Sequence, residues 1–461
     1  MIGPYFPDFS LNRTTIRLKI EKSWPRFSTF SLRSLLPRRL LANDVFSAEA
    51  PRNRAGACYD SGPMKPLDDI CVVDLSRILS GPICTMLMGD MGARVTKIEP
   101  PPHGDDSRLW GPPFVGGIST YFHSINRNKE SVGLNLKSEG GREILWKLID
   151  RADVLVENFR PGVLKRLGFG YEAVSAHNSR LVYCSISGFG QTGPYKDRPG
   201  YDVIAQGESG MMDLTGEPDG PPLKLGGSLA DIVTGLYAFQ GILLALLSRH
   251  RSGEGQHVDI SLLDSMVSTL AYQAEIYLTT GRSPKRMGTR HPSIVPYESF
   301  QATDGFINIA VTNQKQWVNF CQVLEFPDVA FDARFDSMPN RIANYEQLKP
   351  IIDSVLGDLT RVEITRRLSG VGIPVGPINT VGEILEDPHI QAREMVAELI
   401  HPDYGPLKML GIPIKLSKTP GELSQAPPRF GEHNGKVLDW LGYAESEILA
   451  LSGSGALASY D

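Results

Sequence analysis

The sequence predicts an α/β fold built around a mostly parallel sheet. Two observations support this prediction. Short apolar runs typical of buried strands alternate with segments of helical periodicity, and the 461-residue chain, 41% of it hydrophobic, can bury the cores of two or three domains. Parallel sheets of this kind bind ligands at the carboxyl ends of their strands, so the loops that follow the strands are the expected functional edge.

The elements follow one another as strand–helix units. The predicted strands are 68–76, 93–100, 153–159 and 180–187. The predicted helices between them are 83–92, 140–152 and a segment that opens after Pro161. The long apolar stretch after Asp231 and the strand and helix at 253–267 complete this region. The loops at the carboxyl ends of the strands are 77–82, 158–162 and 188–201.

The composition changes near Gly281, where Gly, Pro and Arg become frequent, and a second, smaller α/β region follows. The predicted organisation is an N-terminal segment at 1–63, a large domain at 64–265, a linker at 266–287, a small domain at 288–400 and, at 401–461, a return linker with a C-terminal helix that packs on the large domain. The sequence contains no tandem repeats.

Charge and cysteine content exclude several classes of protein. The net charge of −5 argues against a nucleic-acid partner, which would favour a basic face. The five cysteines are scattered without C-x-x-C spacing, so neither structural zinc nor disulfides are expected, and the pair His257 and Asp259 is more often structural than metal-binding. The apolar stretch 232–248 falls short of the about 20 residues that span a bilayer, so it predicts a buried core helix and no membrane partner.

The N-terminal segment differs from the rest of the chain. Residues 13–39 contain eight basic residues, one acidic residue and frequent Ser and Thr, which is typical of a mitochondrial transit segment. A disordered basic tail and a mispredicted start are the alternatives, and they leave a cytoplasmic location open. The expected location is the mitochondrial matrix.

The stretch "SISGFGQTGPY" matches the G-x-G-x-x-G dinucleotide fingerprint through Gly188, Gly190 and Gly193. That fingerprint requires a helix directly after the glycines, because the helix N-terminus binds the pyrophosphate. Two prolines and a further glycine follow within seven residues here, and they would break such a helix. The sequence therefore predicts no nicotinamide or flavin site, but a long loop that lies close to a ligand or to another backbone.

Several stretches taken together resemble the class III CoA-transferases. Among them are "VVDLSRILSGPICTMLMGDMGARVTKIEPP", "ADVLVENFRPGVLKRLGFGYE" and "TGEPDGPPLKLGGSLADIVTGLYA". The resemblance extends from Lys65 to about Leu441. It implies a ring-shaped monomer with a large Rossmann-like domain and a small domain, two of which interlock as a homodimer with active sites at the interface. It also implies that CoA and acyl-CoA are substrates and that no cofactor is permanently bound.

By this resemblance, Asp231 in "GGSLADIVTGLY" is the catalytic nucleophile, which forms a mixed anhydride and then an aspartyl-CoA thioester. From the residues alone, an aspartate before a long apolar helix is an ordinary N-cap. The two roles are compatible, because a helix N-terminus favours a negative charge. The candidates for the oxyanion donors and the loop that covers the intermediate are Gly226, Gly227, Gly288, Arg290 and His291.

The resemblance also implies a CoA-binding set, although each cation could equally be a solvated surface charge. Its members are Arg77 and Ser80 beside the pantetheine, Leu134, Lys137, Asn158, Phe159 and Arg160 near the adenine and its phosphates, Arg166 at a phosphate, and Tyr201. One family contact is missing, because an arginine that follows the "KIE" strand in some members is Pro100 here.

Two rival functions stay open. The 2-methylacyl-CoA racemases of the same superfamily pair this aspartate with a histidine in a "GHD" triplet, where this chain has Tyr201. A tyrosine with a pKa of about 10 is a poor partner for that proton exchange. A catalytically silent CoA-binding protein is the other alternative. The resemblance and the predicted mitochondrial location imply that the activity is transfer of CoA from succinyl-CoA to glutarate or a related dicarboxylate. Arg77, Arg290 and His291 are the candidates for binding the distal carboxylate.

Overall fold

A computed structural model describes residues 64–459. The predicted transit segment lies outside the described residues. The strands are β1 (Cys71–Asp74), β2 (Arg94–Glu99), β3 (Phe114–Val115), β4 (Ile118–Ser119), β5 (Lys129–Leu134), β6 (Val154–Glu157), β7 (Val182–Ser187), β8 (His257–Ser261), β9 (Tyr297–Ala302), β10 (Gly305–Ala310), β11 (Val375–Pro377), β12 (Val396–His401), β13 (Gly405–Leu410) and β14 (Leu457–Ala458).

Helices connect most of these strands. The α-helices are α1 (Ser80–Asp90), α2 (Thr120–His123), α3 (Glu139–Arg151), α4 (Val163–Arg166), α5 (Tyr171–His177), α6 (Asp202–Glu208), α7 (Met211–Leu214), α8 (Leu229–Ser252), α9 (Leu262–Ser268), α10 (Tyr272–Thr280), α11 (Gln314–Val323), α12 (Met338–Ala343), α13 (Tyr345–Leu356), α14 (Arg361–Ser369), α15 (Val381–Glu386), α16 (Pro388–Ala392), α17 (Asn434–Trp440) and α18 (Glu445–Gly453). Short 3-10 helices span Asp106–Leu109 and Pro327–Phe331.

The large sheet has the strand order β14-β5-β2-β1-β6-β7-β8 and confirms the prediction of a mostly parallel sheet. Every pair is parallel except β14 with β5. After β1 the chain passes to β2 on one side, and β6 lies on the other side. The strand order therefore reverses between β1 and β6, which is where sheets of this type form a ligand crevice.

Alternate residues of the strands face two helical layers. Val72 on β1 belongs to a core with α1, α8 and α9, whereas its neighbour Val73 belongs to a core with α3, α5 and α17. Because side chains alternate across a strand, a sheet with apolar residues at successive positions must be covered on both faces. The C-terminal segment contributes to this sheet, since β14 pairs with β5 and α17 packs on one face.

Helix α8 is the longest described helix. The expectation that this stretch is too short to cross a membrane is wrong, because the helix has 24 residues and is long and apolar enough to do so by length and composition. A core helix passes the same test, and one face of α8 does pack into the core of the large sheet through Ala230, Ala238, Ile242 and Ala245. The rest of the helix surface is more exposed.

A second, antiparallel sheet has the order β11-β10-β9. Its own core, formed with α11, α13 and α14, includes Trp317, Phe320, Leu348 and Ile364. This sheet lies inside the predicted small domain, whose boundaries stay predictions. Helix α10 spans nine residues within the predicted linker at 266–287.

Two further comparisons with the sequence are informative. The glycine-rich segment 188–201 forms a loop with no helix before α6, and a Cβ atom on Gly188 would lie 2.7 Å from the Cα atom of Gly200. The prediction that this loop lies close to another backbone is therefore confirmed. Strand β5 was missed, because its sequence "KESVGL" begins with charged residues that are buried and paired in the structure.

Candidate active site

Asp231 lies in the first turn of α8, at the third helical residue. The expectation that Asp231 is the N-cap is wrong, because Ser228 occupies that position and makes no capping hydrogen bond through its side chain. Asp202, from the start of α6, performs the capping: its Oδ1 accepts the N–H of Ala230 at 2.8 Å and that of Asp231 at 3.4 Å. The Asp231 carboxylate is therefore not used to cap the helix.

The surroundings of Asp231 favour its neutral form more than water does. Burial raises the pKa of Asp231 to about 7, the neighbouring Asp202 carboxylate adds to the rise, and a hydrogen bond from Ser80 opposes it. A carboxylate that is poorly solvated and titrates near neutral pH is more basic than an exposed one. This arrangement suits a nucleophile or a proton acceptor.

The loop after β1 carries Arg77 and leads to Ser80. Asn158, from the loop after β6, binds both backbone groups of Arg77: its Oδ1 accepts the Arg77 N–H at 2.8 Å, and its Nδ2 donates to the Arg77 carbonyl at 2.7 Å. The Arg77 guanidinium lies 5.3 Å from the ring centre of Phe159. Four of the residues expected to contact CoA thus form one cluster at the point where the strand order reverses.

The remaining members of the expected CoA-binding set are more dispersed. Lys137, Arg160 and Arg166 are exposed, and among the described residues none of them forms an ion pair, so all three are available to phosphate groups. Leu134 is 1% exposed and belongs to the core beneath α3, so its side chain cannot reach a ligand. Tyr201 precedes α6 and is 62% exposed.

The glycines before α8 lie in open space. A Cβ atom on Gly226 or Gly227 would meet nothing within 4 Å, and within residues 64–459 neither amide N–H donates to another group of the protein. The buried amide of Gln206 fixes this segment instead, accepting the Leu225 N–H at 2.9 Å and donating to the Gly227 carbonyl at 3.3 Å. The segment therefore presents two free donors within five residues of Asp231 in the chain.

The loop with the third candidate glycine has a different position. Gly288 has a φ of +61° and its N–H binds the carbonyl of Gly216 at 3.0 Å. The Arg290 guanidinium lies 3.6 Å from the ring centre of Tyr345, and His291 packs beside aromatic rings. Within the described residues no hydrogen bond or ion pair links Arg290 or His291 to Asp231. Of the three candidates for binding the distal carboxylate, Arg77 lies three residues before Ser80, which hydrogen-bonds Asp231.

Sequence reasoning missed three residues of this site. Asp202 and Gln206 lie four residues apart on α6, and the Gln206 Nε2 donates to the Asp202 Oδ2 at 2.8 Å. Tyr121 hydrogen-bonds Ser228, and burial together with the Asp231 carboxylate raises the pKa of Tyr121 to about 12. Asp202 is the last residue of the "GYD" triplet, in which Tyr201 was the only candidate site residue. Nothing in the sequence pattern distinguishes Tyr121.

The described residues contain no group of three or more His, Cys, Asp or Glu side chains that could hold a metal ion. The arrangement combines a half-buried carboxylate, free amide donors and exposed cations at the carboxyl edge of a parallel sheet. Such features suit an enzyme whose carboxylate acts either as a nucleophile or as a proton acceptor.

The chain belongs to CoA-transferase family III, whose sequence model matches residues 67–434. It is 39% identical to the succinyl-CoA:glutarate CoA-transferase of Mus musculus over 403 residues, which is 87% of this chain and 92% of the relative. It is 43% identical to the acetyl-CoA:oxalate CoA-transferase of Acetobacter aceti, covering 77% and 90% of the two chains. The crystal structure of a CaiB/BaiF family protein from Brucella suis has a TM-score of 0.74 and 42% identity, over 82% of this chain and 99% of that one. The chain is therefore a CoA-transferase.

Proposed function

We propose that the chain transfers CoA from succinyl-CoA to glutarate or a related dicarboxylate, with Asp231 as the nucleophile. The observation that carries the proposal is the position of Asp231: a half-buried carboxylate, pKa about 7, beside the free amide donors of Gly226 and Gly227. The name of the mouse relative supports this donor and acceptor. The name of the Acetobacter relative, which concerns acetyl-CoA and oxalate, makes the acids the first point to test.

The first half of the proposed reaction moves CoA onto the protein. An ionised Asp231 oxygen attacks the thioester carbonyl carbon of succinyl-CoA, the C–S bond breaks, and a mixed anhydride and the CoA thiolate result. The thiolate then attacks the carbonyl carbon of Asp231. This step breaks the anhydride C–O bond, forms an aspartyl-CoA thioester and releases succinate, which leaves with one oxygen from Asp231.

The second half runs the same steps in reverse. An oxygen of the acceptor carboxylate attacks the aspartyl thioester and displaces the thiolate, which gives a second mixed anhydride. The thiolate attacks the acceptor carbonyl, the new acyl-CoA departs, and Asp231 is regenerated with an oxygen that came from the acceptor. The amides of Gly226 and Gly227 are suited to donate to the oxyanions that form in each step, because their N–H groups have no partner among residues 64–459.

We also propose a homodimer. Helices α8 and α10 expose large apolar side chains, including Leu244 at 67%, Leu247 at 53% and Leu278 at 74%. Apolar patches of this kind on otherwise soluble proteins mark interaction surfaces, and a second copy of the chain is the partner that most oligomers use. Sedimentation of the purified chain is expected to give a dimer, and an active monomer would contradict this part of the proposal.

A mitochondrial location completes the proposal. It depends on the basic composition of residues 13–39, which is typical of transit segments. The full chain is expected to enter isolated mitochondria and to become protease-resistant, whereas a chain that starts at residue 64 should remain outside. Equal import of both forms would contradict this location.

The main experiment incubates the purified chain with succinyl-CoA and a panel of acids: glutarate, 3-hydroxy-3-methylglutarate, itaconate, malate, oxalate and carnitine. Mass spectrometry is expected to detect a new dicarboxyl-CoA that disappears in Asp231→Asn. The matched control is Asp264→Asn, because Asp264 also lies in the first turn of a helix but is exposed on α9. No exchange with any acid would overturn the proposed donor and acceptor.

Isotope labelling tests the covalent steps directly. With excess enzyme and acceptor labelled with 18O in its carboxylates, a single turnover is expected to leave one 18O atom on Asp231, so that its peptide gains about 2 Da. An unlabelled peptide after complete transfer would rule out the aspartyl thioester. Entry of solvent deuterium into a 2-methylacyl-CoA, without CoA transfer, would instead indicate the racemase reaction.

A further inference from the structure

Buried side chains hold the backbone of the loop that leads to Ser80. The Lys97 Nζ donates to the carbonyl of Ser76 at 2.8 Å, and the Asp105 carboxylate accepts the N–H of Ile78 at 3.3 Å. With the Asn158 contacts to Arg77, each of three consecutive residues is tied by a side chain from another part of the chain. Ile78 has a φ of +70°, a strained conformation for a β-branched residue, which needs such support.

Lys97 and Asp105 form an ion pair that is completely buried. Their Nζ and Oδ2 atoms are 2.8 Å apart, and both side chains are 0% exposed. Burial alone would raise the pKa of Asp105, but Lys97 and the hydrogen bonds from Ser107 together outweigh burial and hold that pKa well below its usual range. Both members of the pair therefore stay charged. Removing two charges from water costs so much that apolar replacements of a buried pair are often equally stable. Stability alone therefore does not account for this pair.

The position of the pair suggests its role. Lys97 lies on β2, and Asp105 lies in the connection that follows this strand. The loop that they hold passes through Ile78 and leads to the first residue of α1. That first residue is Ser80, which hydrogen-bonds Asp231. A shift of the loop would move Ser80 and Arg77 together.

We propose that the Lys97–Asp105 ion pair is a positioning element for CoA transfer: it fixes the 76–78 backbone so that Ser80 binds Asp231 and Arg77 faces the substrate. Neither residue touches the substrate in this scheme. The inference rests on the proposed function, since it assigns the pair a part in the transfer reaction.

The test replaces both charges at once with apolar side chains, as Lys97→Met with Asp105→Leu in the full chain. This double variant avoids a lone buried charge, so folding is retained while the contacts to Ser76, Ile78 and Ser107 are lost. The expected result is a kcat/KM about 10- to 100-fold lower, because small displacements of reacting groups have effects of this size.

The matched control is the ion pair between Arg249 and Asp153, at the amino edge of the same sheet. Its atoms lie 3.1 Å apart with side chains 9% and 8% exposed. It too holds backbone groups, because Arg249 donates to the carbonyls of Asp153 and Arg180 and the Asp153 carboxylate accepts the N–H of Cys71. Arg249→Met with Asp153→Leu is expected to change kcat/KM less than about threefold. Equal losses in both double variants, or no loss in either, would overturn the inference.

Two readouts separate positioning from general loosening. Hydrogen exchange of the amides at 76–80 is expected to rise only in the Lys97→Met/Asp105→Leu variant. The inflection in the pH profile of kcat/KM is also expected to move upward there, because Asp231 loses its Ser80 hydrogen bond while Asp202 and Tyr121 still face it. Unchanged exchange at 76–80 would contradict the proposed role.

These readouts also separate a failure of the proposed function from a failure of the positioning role. If the unmodified chain transfers CoA to no acid on the panel, the proposed function fails, and the hydrogen-exchange comparison still decides whether the pair holds the loop. If the unmodified chain is active and the two double variants behave alike, the function stands and the positioning role fails.

Discussion

The two segments that flank Asp231 are built in opposite ways. Residues 76–78 are tied through buried charges and Asn158, and the strained Ile78 lies among them. Residues 225–231 are held at separate points by the side chains of Gln206, Asp202 and Tyr121. The two glycines of this segment face open space, and their N–H groups are free within the described chain. On one side of the Asp231 carboxylate, side chains bind the backbone groups of the loop, and this side is called the saturated side. On the other side, the glycine N–H groups are free and the space around them is empty, and this side is called the open side.

This difference matches what a covalent transfer needs. A nucleophile must be held in one orientation, which the saturated side provides through Ser80. Donors for a developing oxyanion must have no partner before the reaction, which holds for Gly226 and Gly227 in the described chain. A substitution on the open side should therefore weaken ligand binding without changing the stability of the protein. A substitution on the saturated side should lower the stability of the folded protein.

The largest effect is expected on the open side. Gly227→Ala places a methyl group where nothing lies within 4 Å, so the folded state should be undisturbed. The ligand that occupies this space would be displaced, and we expect KM for acyl-CoA to rise about 10- to 100-fold, as for an overpacked contact of about 1–3 kcal/mol. Steady-state kinetics and a thermal melt measure the two consequences.

Gly376→Ala is the control for this substitution, because Gly376 on β11 also has nothing within 4 Å and lies in the other sheet. It should leave both KM and Tm near their starting values. A Gly227→Ala variant with normal KM would mean that the open space beside Asp231 does not hold the substrate.

The second effect is expected on the saturated side. Asn158→Ala removes two hydrogen bonds from the Arg77 backbone and leaves its N–H unsatisfied, which should cost about 1–3 kcal/mol of stability. Because Arg77 and Ser80 would shift, kcat/KM should fall about tenfold. Both Tm and kinetics therefore change, unlike the change on the open side.

Asn178→Ala is the matched control, since the Asn178 amide also binds two backbone carbonyls, those of Ile149 and Ala152, far from the carboxyl edge of the sheet. It should lower Tm by a similar amount and leave kcat/KM within about threefold. A tenfold loss in both variants would show that general loosening, not the position of the Arg77 loop, limits the rate.

The same comparison shows what the sequence could predict. Strands such as β1 and β7 are short apolar runs, and Asp231 stands in a recognisable motif, so the sheet and the candidate nucleophile were accessible. The pair Lys97 and Asp105 was not, because two charged residues in a sequence normally indicate solvent exposure, and their burial depends on meeting each other in three dimensions. Capping of α8 by Asp202 was hidden for the same reason, since its partner amides lie 28 and 29 residues away.

A third, smaller effect is a shift in the pH profile of kcat/KM, and substitutions of Asp202 and Ser80, two neighbours of Asp231, are expected to shift it in opposite directions. The pKa of about 7 predicts that kcat/KM rises with pH up to an inflection near 7 and is level above it, because the ionised carboxylate attacks. Asp202→Asn removes a like charge and should move the inflection to lower pH, whereas Ser80→Ala removes a donor and should move it higher. Shifts in the same direction for both variants would contradict this account of the site.

The smallest effect is on stability, and it is specific to the carboxylate. An unfolded aspartate has a pKa of about 3.9, so the raised pKa of about 7 means that the folded state binds the proton more tightly between these values. The folded protein therefore loses stability as the pH rises from about 4 to about 7. Asp231→Asn carries no such penalty and should raise Tm by about 1–3 °C at pH 8, but not at pH 4.5. Thermal melts at both values test this, with Asp264→Asn as the control. A Tm gain that is the same at both pH values would mean that packing, not the charge of Asp231, is responsible. The site would then lack a destabilised, and therefore reactive, carboxylate.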